Sequence, residues 1–300
     1  MVIRQFKRLS ALRKEQIASL ERECLEADGA VCPVFAEPFL NYTTKVPAFF
    51  FATSGNRAIG VLSLFLPGDG TAEVSAVVAP TERKKGVFKA LLKTAGQSIK
   101  QLDIATVYLV SCPGVPDCDA CLSAVNALYS SSEFKMFLPK AGAALALLEK
   151  GSKKTPPKKQ KDGEKPVLLP VSGKDIPSLS PLLGDFFNTD PESAGTWLNT
   201  ILGSEKTHFF KLILGKTLIG CGGYVDSGKS ASVFGIGIEK SHRGAGFGRF
   251  LMRSILGAIP SGHSVVLQVS DKNAVAFSLY KSLGFEVTAT TRYHILPMNR

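Results

Sequence analysis

The stretch EKSHRGAGFGRFLM, Glu239 to Met252, sets three glycines at alternate positions, Gly244, Gly246 and Gly248, between Arg243 and an apolar run of helical spacing. A helix N-terminus carries backbone N–H groups without internal partners, and its dipole favours negative charge. Residues without side chains let those groups curl around phosphate oxygens, in conformations closed to other residues. Arg243 can add charge-assisted contacts or brace the loop. The amides of Gly244, Ala245, Gly246, Phe247 and Gly248 are therefore a candidate diphosphate cradle, weighed against a plain flexible turn.

Two other nucleotide motifs compete. A dinucleotide fold needs G-x-G-x-x-G, but counting from Gly244 or Gly246 the third glycine falls on Arg249 or Leu251. GYVDSGKS, Gly223 to Ser230, matches the P-loop pattern letter for letter. A P-loop must run into a helix, whereas ASVFGIGIE after Ser230 is β-rich, so Asp226–Lys229 reads as a hairpin turn. Among six cysteines, Cys118-x-x-Cys121 with Cys112 upstream invites a metal reading. No second cysteine pair completes a zinc set, and reduced thiols in a loop with no metal are expected.

The elements that must position these residues fall into two similar halves. TAEVSAVVAPTERKKGVFKALLKTA in the first half and SASVFGIGIEKSHRGAGFGRFLMRSI in the second share the order strand, polar turn, helix. Arg83 then aligns with Arg243, Gly86 with Gly246 and Leu91 with Leu251. Each helix is followed by an apolar strand, Ala105–Ser111 or Ser264–Ser270, and by a segment ending in Leu128-Tyr129 or Leu279-Tyr280. Paired strands precede each unit, PAFFFAT with AIGVLSLF and HFFKLIL with TLIGCGGYV. Helical patterns run from Ala11 to Ala27 and from Pro191 to Ile201, the second with Asp190 as N-cap and Pro191 at the first helical position. This implies an α+β class, with a mixed, mostly antiparallel sheet flanked by helices in each unit. The expected domains are 1–150 and 167–300, joined by a Lys/Pro-rich linker over 151–166.

Composition bounds the remainder. Over 300 residues the net charge is +11, and the linker's six lysines against Asp162 and Glu164 account for +4 of it, leaving +7 elsewhere. Scattered arginines without a recognition motif do not favour nucleic acid. No apolar run approaches the roughly 20 residues of a membrane span. The charged N-terminus lacks the apolar core of a secretion signal, so a cytoplasmic protein is expected.

The second half resembles the GNAT superfamily of acetyl-CoA-dependent N-acyltransferases. RGAGFG fits the family's [Q/R]-x-x-G-x-[G/A], and NAVAFSLYKSLGF carries Asn273, Ala276, Tyr280, Gly284 and Phe285 in the family's register. The first half resembles it more weakly, so the chain looks like a tandem acetyltransferase. The resemblance implies that backbone groups of Ile236 and Ile238 pair with the pantetheine arm of acetyl-CoA. It implies too that Arg243 and the Gly244–Gly248 amides hold the diphosphate, that Asn273 fixes the cofactor near its thioester, and that Tyr280 protonates the departing thiolate. Some members carry a glutamate base eleven residues before the arginine, but Ser232 stands there. Glu239, His242, Asp226 and His208 remain as candidates. The first half departs from the pattern at Phe88, Lys84 and Lys85, has Leu122 near the asparagine position, and has Glu133 where Gly284 stands. It reads as a degenerate copy, with Tyr129 a structural tyrosine on a helix.

Three functions follow from this reading. The leading one is acyl transfer from acetyl-CoA to a small-molecule or peptide amine by a monomer or homodimer. A non-catalytic acyl-CoA-binding regulatory module and a tRNA-dependent aminoacyl transferase are the alternatives. The acceptor is not readable.

Overall fold

The computed structural model describes residues 1–36, 41, 43–142, 164–187 and 189–297. Of the expected linker, 151–163 lies outside the described residues, and Pro166 already opens a strand.

The chain forms two compact units, Met1–Glu133 with Ala289–Arg300, and Phe134–Thr288. The first half supplies β1 (Val2–Phe6), α1 (Ala11–Asp28), β2 (Phe49–Ser54), β3 (Arg57–Phe65) and β4 (Thr71–Val78), then α2 (Val87–Ile99), β5 (Thr106–Ser111), α3 (Cys118–Ala124) and β6 (Leu128–Leu138). The second supplies β7 (Pro166–Pro170), α4 (Ile176–Phe187), α5 (Pro191–Leu202), β8 (Thr207–Leu214) and β9 (Thr217–Asp226), then β10 (Ser230–Ile238), α6 (Phe247–Ala258), β11 (Ser264–Ser270), α7 (Ala274–Ser282) and β12 (Glu286–Ile295). This is the mixed α/β architecture expected.

Within the first unit the strand order is β1-β2-β3-β4-β5-β12, and within the second β6-β11-β10-β9-β8-β7. Each unit thus takes its last strand from the other half of the sequence. β12 pairs antiparallel with β5, placing Arg292 opposite Ser111 and Ile295 opposite Tyr108. β1–β2, β2–β3, β3–β4, β7–β8, β8–β9 and β9–β10 also pair antiparallel, whereas β4–β5 and β10–β11, each joined by a helical crossover, run parallel.

The local signals act as physics requires. Asp190 accepts from Ser193 N at 2.8 Å and caps α5, with Pro191 in its first turn. Gly228, at φ 88°, turns the β9–β10 hairpin while Asp226 Oδ1 accepts its N–H at 2.8 Å. Ser230 continues as strand rather than helix, which removes the P-loop geometry. Phe49, Phe50 and Phe51 on β2 are at most 2% exposed, so both faces of that strand are covered. Burying each such ring contributes about 2–3 kcal/mol.

Candidate active site

β10 is built to separate from its neighbour. Its parallel pairing with β11 covers Ser230–Ser232 against Ser264–Val266 and then stops. Against β9, the register slips between Phe234 and Gly237, a bulge with Gly235 at φ 66°. Glu239 N–H bonds to Ile219 O at 2.8 Å, so Ile238, opposite Gly220, is a non-hydrogen-bonded position toward β9. Its own N–H and C=O therefore face the side where β11 has splayed away. Arg243 Nε donates to that carbonyl at 2.8 Å, which ties the loop to the strand end. Of Ile238's two polar groups the N–H is the one left open among the described residues.

Past Arg243, Gly244 and Gly246 adopt φ 77° and 94°, a region that side chains rarely enter. A methyl at Gly244 would meet nothing within 4 Å, so that face of the loop is open. No backbone bond occupies the N–H of Gly244, Ala245 or Gly246 among the described residues, and α6 starts at Phe247 with its first-turn amides free by construction. The terminal nitrogens of Arg243 also have no partner among the described residues. Free amides beside two free guanidinium nitrogens fit a diphosphate.

Gly248 joins three elements. A Cβ there would sit 3.7 Å from Leu279 on α7 and 3.9 Å from Ile238 on β10. Asn273 caps α7, its Oδ1 accepting from Ala276 N at 3.1 Å, which leaves the amide nitrogen for a ligand. One helix turn after Ala276, Tyr280 is 6% exposed with its ring centre 6.1 Å from that of Phe285. Burial pushes its phenol up to about 12, so it stays protonated throughout the physiological range. No hydrogen bond to its hydroxyl occurs among the described residues, yet no buried polar atom there is unsatisfied, so the hydroxyl reaches an opening.

The base candidates separate. Glu239 accepts from Ser241 N at 2.9 Å, from Ser241 Oγ, and pairs with His242 Nδ1 at 2.7 Å. Those hydrogen bonds pull its carboxyl down to about 2, which makes it a poor base. Asp226 lies opposite Ala231, at the far end of β10 from Ile238, and His208 stacks on Tyr224 at 4.7 Å. Ser232 occupies the parallel-paired stretch before the splay. The sequence reading missed an aromatic wall beside the bulge: Phe186, Trp197, Phe209 and Phe234. Phe209 and Trp197 pack against Gly235, and any side chain at Gly237 would collide with Phe186. The alternating glycines of FGIGI were the available signal.

The first unit repeats the frame with different contacts around its loop. Arg83 Nε donates to Val78 O at 3.2 Å, as Arg243 does to Ile238, but its other nitrogens grip Asp28, Nη1 to Oδ1 at 3.0 Å and Nη2 to Oδ2 at 2.5 Å. Lys84 pairs with Asp117 at 3.1 Å and Lys85 with Glu82 at 3.4 Å. The alignment of Tyr129 with Tyr280 is corrected here. Phe285 N bonds to Tyr280 O at 3.1 Å and Gly284 N to Lys281 O at 3.0 Å at the end of α7. At the end of α3 the same bonds run from Ala127 N to Leu122 O at 2.9 Å and from Asn126 N to Ser123 O at 3.0 Å. Leu122 is thus the counterpart of Tyr280, and Asn126, at φ 53°, that of Gly284. Asp117 holds the N-cap position that Asn273 holds in α7. Tyr129 stands on a strand, its hydroxyl 2.9 Å from Ser132 Oγ, and Glu133 accepts from Tyr293 at 3.2 Å. Cys118 and Cys121 lie on α3 rather than in a loop, all six cysteines are free, and no cluster of metal-binding side chains occurs among the described residues.

The model of the acetyltransferase (GNAT) family matches residues 14–119 and 177–285, and the chain belongs to that family. It is 32% identical over 114 residues to the N-alpha-acetyltransferase RimI of Mycobacterium tuberculosis, covering 36% of this chain and 71% of that protein. Its fold matches a GCN5-related N-acetyltransferase from Sphaerobacter thermophilus at TM-score 0.75 and 15% identity, over 100% of this chain and 96% of the other. It also matches a tandem GNAT protein from the clavulanic acid biosynthesis pathway at TM-score 0.66 and 17% identity, over 100% of both chains. The family transfers acetyl groups from acetyl-CoA to amines. No helix among the described residues is long and apolar enough to cross a membrane.

Proposed function

We propose that the second unit is the catalytic one and moves an acetyl group from acetyl-CoA to the primary amine of a small molecule or a peptide. The observation that carries this reading is the free anion cradle, unpaired amides at Gly244–Gly246 beside unpaired Arg243 nitrogens, set against a strand end whose Ile238 N–H is open. Arg243 and the amides from Gly244 to Gly248 hold the diphosphate. Backbone groups of Ile236 and Ile238 line the pantetheine arm, and Asn273 steadies it near the thioester. A neutral amine then attacks the thioester carbonyl: the C–N bond forms, the C–S bond breaks, and Tyr280 gives its proton to the leaving sulfur. The amine nitrogen sheds its proton to solvent or to a side chain outside Glu239.

The aromatic wall of Phe186, Trp197, Phe209 and Phe234 supports an acceptor whose amine is flanked by apolar surface. Similarity to an N-alpha-acetyltransferase supports a peptide N-terminus as one such acceptor. The first unit is the degenerate copy, since its arginine is consumed by Asp28 and Leu122 cannot donate a proton.

The test is acetyl-CoA turnover against a panel of amines and short peptides, with Tyr280→Phe alongside the wild type. General acid catalysis accounts for about 10²–10⁴-fold, so turnover falls by that order while acetyl-CoA affinity stays within about twofold. Undiminished turnover in Tyr280→Phe overturns the acid's assignment.

A further inference from the structure

The first unit contains a cavity of about 520 Å³, within the range that holds a compact organic ligand. It opens where β4 and β5 part, because their pairing ends at Val74 opposite Leu109. Val74, Val77, Val87, Leu109, Leu122 and Val125 make its walls apolar. Its charged lining is Asp28, Glu82 and Asp117 against Arg83, Lys84 and Lys89, three of each sign. Arg83 is bidentate on Asp28, with side chains only 17% and 8% exposed, so its charge is already spent. Phe88 also lines the space, at the position of Gly248. The cavity therefore has the place of a cofactor cleft, but Phe88 stands where Gly248 does and the loop's cations Arg83, Lys84 and Lys85 are each paired with a carboxylate, which leaves no bare, unspent loop for a diphosphate.

Its rim carries a latch. Among the described residues three non-glycine residues sit at positive φ, namely Lys84 at 61°, Asp117 at 58° and Asn126 at 53°. Lys84 and Asp117 both line the cavity and pair across it at 3.1 Å, joining the β4–α2 loop to the start of α3. Asp117 and Asn126 are residue types that enter this region readily, so Lys84 is the strained one of the three, and its exposed pair with Asp117 is worth under about 1 kcal/mol, so the contact opens readily.

We propose that this cavity is a binding site for an uncharged, largely apolar small molecule, separate from acetyl-CoA binding in the second unit. Arg83, Lys84 and Glu82 are already paired and Lys89 is exposed at the edge, so a net charge carried in among the apolar walls would leave water without a buried partner, whereas a neutral apolar body matches those walls.

The experiment titrates the intact chain with N-phenyl-1-naphthylamine, a neutral probe that fluoresces in apolar sites. Ala120→Trp and Ala124→Trp, at exposed positions of α3 that line the cavity, fill it with little risk to folding. One probe per chain is expected, with affinity lowered at least tenfold by either tryptophan and with acetyl-CoA binding by calorimetry unchanged. Absence of probe binding, or binding indifferent to both tryptophans, overturns the proposal. Competition is read in Gly248→Phe, whose second-unit loop is blocked. Displacement of the probe by acetyl-CoA in that variant also overturns it, since the cleft would then be a cofactor site. Loss of acetyltransferase activity leaves these readouts untouched, so failure of the catalytic reading and failure of this one are distinguishable.

Discussion

On the function proposed above, the two arginines that open the equivalent loops have opposite jobs, and paired substitutions separate them. Asp28→Asn strips the carboxylate from a guanidinium that is 17% exposed and has two of its bonds on that group. Breaking a buried pair by removing one partner costs about 3–5 kcal/mol. Asparagine keeps one acceptor oxygen, so the lower end, about 3 kcal/mol, is expected. At roughly 2–4 °C per kcal/mol for a unit of this size, the first unit should melt about 6–12 °C lower. Arg243→Ala removes a single bond to the Ile238 carbonyl from an exposed side chain, about 1 kcal/mol. Its larger effect falls on the ligand: one charge-assisted contact, about 1.5–3 kcal/mol, weakens acetyl-CoA roughly 10- to 100-fold. Circular dichroism melts and calorimetric titration give both numbers for both variants. Equal destabilisation by the two, or acetyl-CoA affinity indifferent to Arg243, would refute the division of labour.

Gly244→Ala adds a methyl that meets no neighbour within the protein, so its cost in stability is the backbone strain at φ 77°, about 1–2 kcal/mol, visible as a lower urea midpoint without ligand. Glu73 on β4 has its carboxyl pushed up to about 7, first by burial and then by Glu133 and Asp69. The folded chain thus holds this proton more tightly than the unfolded one, so the group's contribution is intact below about pH 4.5 and erodes as pH rises to about 7. Glu73→Gln should match the wild type in urea titrations near pH 4.5 and exceed it by up to about 3 kcal/mol at pH 8, while a gap that does not widen with pH contradicts the assignment.

Much of this was legible in the chain because the signals are local. RGAGFG states its backbone demands in residue types, and Asp226–Lys229 betrays a hairpin because β-rich residues follow it. The equivalence of Arg83 and Arg243 holds in three dimensions, down to the carbonyl each one grips. The misreading of Tyr129 has a physical origin. The loop before α3 is longer and α3 shorter than α7, with seven residues against nine, so matching the Leu-Tyr pairs slid the register. Only the hydrogen bonds that close each helix restore it. The exchange of β6 and β12 could not be read either, since strand partnership is set by contacts far apart in sequence. A cavity, being the space between splayed strands, has no letter of its own.

Calorimetric titration of acetyl-CoA into the wild type and Gly248→Phe tests the central claim most directly. The substitution grafts Phe88's residue type onto the second loop, at a site where the Cβ itself has ordinary clearance of 3.7 Å. One site per chain in the wild type, abolished in the variant, is the result expected of a single working cradle at Gly244–Gly248. Two sites in the wild type, or one that survives in Gly248→Phe, would contradict it.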